Sequence, residues 1–217
     1  MNELVNYKVM APGLVYYKNA IANPEETIKT IELIQNRLQS GVESKAEAWE
    51  EWNGADATLE RFCLKSWITN PRDMEKNDPL YEEVSVIYKN VSEGIDKVFD
   101  HYANTVYPSA GKTVKSTEGR LSILKYSNSG YLPPHQDQGV SSRLISTVGY
   151  LNDNYKGGEI YFPYLDIKIK PEAGSVVFFP SNYIYVHEVM PISNGIRYAI
   201  PQWYHSLTTQ RDSTGEE

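Results

Sequence analysis

Apolar positions along the chain follow two different periods, and the change between them divides the sequence. Ile28, Ile31, Ile34 and Leu38 recur at helical spacing, which predicts a single apolar stripe on an amphipathic helix. Asn23-Pro24-Glu25-Glu26 precedes them. A capping asparagine, a proline at the first helical position and two carboxylates in the first turn make a start signal; Gly41 supplies the stop. Asp78-Pro79 repeats the start, and Leu80, Val84, Ile87, Val91, Ile95 and Val98 predict a longer helix ending near Tyr102. Both helices read as buttresses for a sheet. Gly13-Leu14-Val15-Tyr16-Tyr17 reads as a short strand ahead of them. From about Ser40 to Asn77 there is no clean period, yet Trp49, Trp52 and Trp67 fall there. Such a segment suits a lid or binding loop, with Trp49 and Trp52 either lining a groove or capping the core edge.

From Arg120 onward the pattern changes to short strands: Leu121–Tyr126, Arg143–Leu151, Glu159–Phe162, Leu165–Lys170, Ser175–Phe179, Ile184–Val189 and Ile196–Trp203. Asn152-Asp153-Asn154, Gly157-Gly158 and Glu172-Ala173-Gly174 separate them as turns. Many short strands with no helix between them predict a β-sandwich or barrel. No repeat of fixed period is found. The expected organisation is a single domain over 1–217, with helical support over 1–119, a β core over 120–204 and a polar tail over 205–217.

Composition narrows the function classes. The 217 residues suffice for one sizeable core. A net charge of -7 opposes a phosphate backbone as partner. The lone cysteine, Cys63, excludes an intramolecular disulfide framework. No long apolar run occurs, and the start lacks a basic-then-apolar leader, so a soluble, cytoplasmic protein without membrane association is expected. Seventeen tyrosines suit strands and pockets where the ring packs and the hydroxyl bonds.

The chemistry-bearing residues lie in the β-rich half. His135 and Asp137 are separated by one residue after Tyr131-Leu132-Pro133-Pro134. The prolines favour extended backbone, on which residues i and i+2 share a face. Taken alone, the pair also fits a hydrogen-bonded surface loop. His187 follows an aromatic stretch and fits a core-edge histidine or a third ligand; Glu188 would point to the opposite face of a strand. Two imidazoles and a carboxylate form the facial set of non-haem Fe(II) oxygenases. Arg197 opens an apolar strand and requires either an internal acid or a bound carboxylate. His101 and His205 read as structural or surface groups.

From Leu121 to Tyr204 the succession of motifs resembles the 2-oxoglutarate/Fe(II) dioxygenases, in their prolyl 4-hydroxylase-like branch. It comprises Tyr126 nine residues before His135, His135-x-Asp137, Tyr150-Leu151-Asn152 and Gly157-Gly158-Glu159-Ile160-Tyr161-Phe162-Pro163. Gly174-Ser175-Val176-Val177-Phe178-Phe179-Pro180, His187-Glu188-Val189-x-Pro191, Arg197-Tyr198-Ala199-Ile200 and Trp203 complete it. Many relatives carry Ser or Thr where this chain has Ala199, although hypoxia-type prolyl hydroxylases also have Ala. Collagen-type members use lysine in place of Arg197.

The resemblance implies a mainly β fold, a double-stranded β-helix (jelly roll) buttressed by the two long helices. It implies iron held by His135, Asp137 and His187, and a 2-oxoglutarate carboxylate held by Arg197 with Tyr126 and Tyr150. Fe(II), 2-oxoglutarate and O2 follow as requirements, and ascorbate is admitted as an accessory reductant. Arg143 matches a basic residue on the substrate side of some relatives and also fits a strand-edge charge; Trp203 is placed on the same side. The implied reaction hydroxylates a C–H bond, foremost of a prolyl residue in a peptide or protein, with release of succinate and CO2. A free amino acid or small molecule as substrate, or a non-catalytic β-helix binding module, are the alternatives. A nucleic-acid substrate is opposed by the acidic balance.

Overall fold

The computed structural model describes residues 6–52, 63–116, 120–139 and 142–207. In chain order the elements are β1 (Tyr7–Ala11), β2 (Leu14–Tyr17), α1 (Pro24–Gln39), β3 (Glu50–Glu51), β4 (Cys63–Thr69) and α2 (Tyr81–His101). Then come β5 (Val114–Ser116), β6 (Arg120–Tyr126), β7 (Leu132–His135), β8 (Arg143–Tyr150), β9 (Lys156–Gly157) and β10 (Ile160–Phe162). The chain closes with β11 (Ile167–Ile169), β12 (Val176–Pro180), β13 (His187–Val189), β14 (Ile192–Asn194) and β15 (Arg197–Ser206).

A major sheet runs in the order β1-β2-β12-β8-β15-β6-β4-β3, with β5 also paired to β15. A second sheet runs β11-β10-β13-β7, and β14 pairs with β9. Every described pairing is antiparallel. The architecture is mainly β, with two long helices and sheets consistent with a jelly-roll-like fold.

Strand alternation assigns the two faces of the major sheet to different partners. Val176, Phe178, Ile200, Leu121 and Ile123 pack with Ile31 and Ile34 of α1 and with Val84, Ile87, Val91 and Ile95 of α2. Their sequence neighbours Val177, Phe179 and Ala199 face Ile160, Phe162 and Ile169 of the second sheet. The helices thus back one face and leave the other to line a cavity between the sheets. Gly94 permits the close approach of α2: a Cβ there would collide with the Ala20 carbonyl oxygen. Among the described residues no helix is long and apolar enough to cross a membrane.

Several boundaries differ from expectation. Asn23 adopts a left-handed conformation (φ 46°) and makes no side-chain cap; the proline and acidic first turn carry the start of α1. Helix α2 begins at Tyr81, and Asp78 instead accepts from Leu80 N–H and the Ser44 hydroxyl, each at 2.8 Å. After His101 the helix continues in a wider π turn over Tyr102–Val106. The segment read as loop contributes β4 to the major sheet, so that sheet is not confined to 120–204. Tyr183–Tyr185 forms a 3₁₀ turn, not strand, and β13 starts at His187. Strand β15 runs to Ser206, two residues into the expected tail.

Candidate metal centre and the cavity behind it

Two strand ends and a turn bring the three candidate ligands together. In the pairing of β7 with β13, His135 lies directly opposite His187, and Asp137 follows β7 at once. The three ligand atoms lie within 4.8 Å of one another. Each histidine is oriented by the backbone two residues before it: Nδ1 of His135 is 2.9 Å from Pro133 O, and Nδ1 of His187 is 3.1 Å from Tyr185 O. A carbonyl only accepts, so Nδ1 carries the proton and Nε2 presents its lone pair.

Those lone pairs face the Asp137 carboxylate. His135 Nε2 is 3.6 Å from Oδ1 and His187 Nε2 is 3.9 Å from Oδ2, too far for hydrogen bonds. Acceptors converging on acceptors repel unless a cation lies among them. Burial, with His135 adding to it and Asp137 opposing, pushes His187 down to about 4, so the imidazole is neutral at neutral pH. For Asp137 burial acts upward, but His187, His135 and hydrogen bonding by Ser146 and Trp203 together outweigh it and hold the carboxyl below its ordinary value. A neutral imidazole beside an ionised carboxylate is the protonation state that a divalent metal requires.

Arg197 opens β15 opposite Tyr126 of β6 and is 1% exposed. Its guanidinium carbon lies 5.0 Å from the ring centres of both Tyr126 and Tyr150. Among the described residues it forms no ion pair with a carboxylate. The Arg197 Nε and the hydroxyls of Tyr150 and Tyr155 are buried without a hydrogen-bond partner of acceptable geometry. Burial pushes the hydroxyls of Tyr126, Tyr150 and Tyr155 up, so all three remain protonated donors. Such a cluster is costly as it stands and is matched by a carboxylate. Gly158, at φ +67°, makes room for it: a Cβ there would lie 3.1 Å from Arg197 Cδ and 2.9 Å from the Tyr155 ring.

One cavity of about 440 Å³ contains both features, lined by His135, Asp137 and His187 and by Arg197, Tyr126 and Tyr150. Arg143 and Trp203 also line it. Arg143 stacks 3.8 Å from the Trp203 ring centre and donates to Asp137 O at 3.4 Å, so it is a cavity residue and not a strand-edge surface charge. Trp52 and Trp67 line the cavity, whereas Trp49 packs against the helix-side core. His101 meets the Tyr17 hydroxyl at 3.1 Å and His205 meets the Ser142 hydroxyl at 3.0 Å, both away from the ligand cluster. Sequence reasoning missed Tyr155 and Lys65. The signal for Tyr155 is its place in the turn after Tyr150-Leu151-Asn152; Lys65 has none without the register of β4.

Residues 121–205 match the family model described as the 2OG-Fe(II) oxygenase superfamily. An Acanthamoeba polyphaga mimivirus protein named as a proposed prolyl 4-hydroxylase is 25% identical over 173 residues, covering 70% of this chain and 61% of that relative. The prolyl 4-hydroxylase α-2 subunit of Gallus gallus is 27% identical over 112 residues, covering 44% of this chain and 21% of the relative. The chain therefore spans under two thirds of the length of these curated relatives. Among solved structures, a Trichoplax adhaerens prolyl hydroxylase in complex with a hypoxia inducible factor peptide fragment superposes with a TM-score of 0.63 at 21% identity, covering 90% of this chain and 84% of that one. A Pseudomonas putida prolyl-4-hydroxylase gives a TM-score of 0.56 at 16% identity, covering 90% and 93%; at these identities the likeness concerns the fold. The ordered motifs, the facing histidines and the match over residues 121–205 agree: this part of the chain is similar to the 2OG-Fe(II) oxygenase superfamily, and the chain is similar to prolyl 4-hydroxylases.

Proposed function

We propose that the protein is an Fe(II)- and 2-oxoglutarate-dependent dioxygenase that hydroxylates a prolyl residue in a peptide or protein and releases succinate and CO2. The observation that carries this reading is the joint chemistry of the cavity. Two imidazole lone pairs and an ionised carboxylate converge at one place, and a buried arginine and the unpartnered Tyr150 hydroxyl line the same space. The first set fits a divalent iron and the second fits the far carboxylate of a dicarboxylate.

In this reading the two sheets close as a double-stranded β-helix, one domain buttressed by α1 and α2. His135, Asp137 and His187 would hold the iron. Arg197 pairs with the carboxylate of 2-oxoglutarate, and Tyr126 and Tyr150 donate to it. Bound Fe(II) supplies the O2 chemistry that converts 2-oxoglutarate to succinate and CO2 and oxidises a C–H bond. The apolar walls at Leu132, Ile160 and Val189 exclude water from the reacting atoms. Arg143 and Trp203 border the side where a substrate enters. A peptide substrate is supported by the peptide-bound relative; ascorbate keeps the role of accessory reductant.

Incubation with Fe(II), 2-oxoglutarate and a proline-containing peptide library tests the reading. We expect succinate formation, and mass spectrometry showing one added oxygen on proline. His135→Ala should abolish both. Absence of succinate from the wild-type protein across peptide and free amino-acid panels would point to a non-catalytic binding module instead.

A further inference from the structure

We infer that Lys65 selects substrates carrying a carboxylate, in particular peptides with an acidic residue beside the target proline; this rests on the dioxygenase reading. Strand β4 shows which way the lysine faces. Ser66 and Ile68 point toward the helices: the Ser66 hydroxyl donates to Glu47 O at 2.8 Å and Ile68 joins the helix-side core. Their neighbours Lys65 and Trp67 therefore face the opposite way, and both line the cavity. Lys65 is in register with Leu124 of β6, and Leu124 with Ala199 of β15. Arg197 and Tyr126 occupy the adjacent row on that face, so Lys65 sits one inward-facing position along, roughly 7 Å by strand geometry, and two strands across from the arginine. That flanks the proposed co-substrate position without coinciding with it.

Charge supplies the second argument. The whole chain carries a net charge of -7, yet the cavity lining contains Lys65, Arg143 and Arg197 against one acid, Asp137. In the proposed site Asp137 is occupied by metal and Arg197 by 2-oxoglutarate, and Arg143 is held over Trp203 and against Asp137 O. Among the described residues Lys65 is the lining cation with weak engagement. Its side chain is only 18% exposed, and among the described residues its one ion pair is to Glu50 at 3.9 Å, whose side chain is 58% exposed. A pair with so solvated a partner is worth little. The ammonium lies 4.3 Å from the Trp67 ring centre, which holds it on the cavity wall. A half-buried cation bordered by aromatic walls in an acidic protein discriminates by charge: it attracts a carboxylate and penalises a second ammonium.

The test is binding by the full chain with Mn(II) in place of Fe(II). The probes are hexapeptides of sequence Ala-Ala-Xaa-Pro-Ala-Ala with Xaa as Glu, Gln or Lys, titrated by tryptophan fluorescence and by calorimetry. For the wild type we expect the Glu peptide to bind about tenfold more tightly than the Lys peptide, with Gln between them. Lys65→Gln should bring the three affinities together, and Lys65→Glu should reverse their order. An unchanged ratio in Lys65→Gln, equal affinities in the wild type, or no saturable binding of the Glu peptide would each overturn the inference. Binding of 2-oxoglutarate to the same wild-type protein separates the two levels. If 2-oxoglutarate binds and the peptide ratio ignores Lys65, only the lysine assignment fails; if 2-oxoglutarate does not bind, the dioxygenase reading fails, and the peptide ratio still decides the role of Lys65.

Discussion

Replacing Arg197 with methionine should leave the ligand-free protein within about 2–3 kcal/mol of the wild-type stability, while removing its affinity for 2-oxoglutarate. The guanidinium is 1% exposed and has no carboxylate partner among the described residues. Exchanging a buried charged group for an apolar side chain of similar volume is neutral to about 1–4 kcal/mol stabilising. Loss of the contacts to the Tyr126 and Tyr150 rings, both at 5.0 Å, returns roughly 0.5–1 kcal/mol each. The expected net effect therefore lies between a loss of about 2 kcal/mol and a gain of about 3 kcal/mol, and each kcal/mol moves Tm by roughly 2–4 °C for a chain of this size. The same change removes two charge-assisted hydrogen bonds to the co-substrate, each worth about 1.5–3 kcal/mol. The affinity loss should therefore be on the order of 10²- to 10⁴-fold. Urea unfolding without metal or co-substrate, repeated with 2-oxoglutarate at a hundred times its dissociation constant, checks both halves. The added ligand should stabilise the wild type by about 2.7 kcal/mol and the variant not at all. A loss of about 3–5 kcal/mol in ligand-free Arg197→Met would refute the reasoning, because that is the cost of breaking a buried ion pair within the protein.

Other predictions follow from the support structure. Gly94→Ala should destabilise by about 1–3 kcal/mol through collision with the Ala20 carbonyl, although helix propensity alone would favour alanine by about 1 kcal/mol; a raised melting temperature would contradict the packing of α2. Asp78→Ala should cost about 1–2 kcal/mol at neutral pH, since the carboxylate accepts from Leu80 N–H, Lys45 N–H and the Ser44 hydroxyl. Partial burial works to raise the Asp78 pKa, but these bonds outweigh it and the folded value lies below the ordinary one. The stabilisation is thus present above the unfolded carboxylate pKa and lost as pH falls through the folded value. Wild-type and variant unfolding curves should converge in acid, and a difference that persists there would rule out the carboxylate as its source.

Much of this was legible in the sequence wherever one period governed a whole element. The apolar stripes of α1 and α2 each answer to a single buried face, and β6, β8, β12 and β15 stand out as short apolar runs because both of their faces are largely buried. Strand β4 was not legible, because one of its faces is cavity, with Lys65 and Trp67, and the other includes Ser66 bonded to Gln35 and Glu47. Polar residues on both faces erase the alternation. Strand β7 was read only as extended backbone; its Pro133 and Pro134 are tolerated because it lies at the edge of its sheet. The candidate ligands were legible through their order, since the His135-to-His187 register is set by strand pairing that the motif succession already encodes. Lys65 required the fold, as nothing in its local sequence brings it beside Arg197 or the ligand cluster, whereas Tyr155 had a signal only in its place after Tyr150-Leu151-Asn152.

The most direct measurement is anaerobic titration of the protein with Fe(II) and 2-oxoglutarate, followed by the visible charge-transfer absorption of iron chelated by the keto acid. We expect the wild type to saturate at one equivalent of iron, Asp137→Ala to give no protein-dependent band, and Arg197→Met to require far more 2-oxoglutarate. An undiminished band in Asp137→Ala, or no band in the wild type, would contradict the assignment of His135, Asp137 and His187 as the iron site.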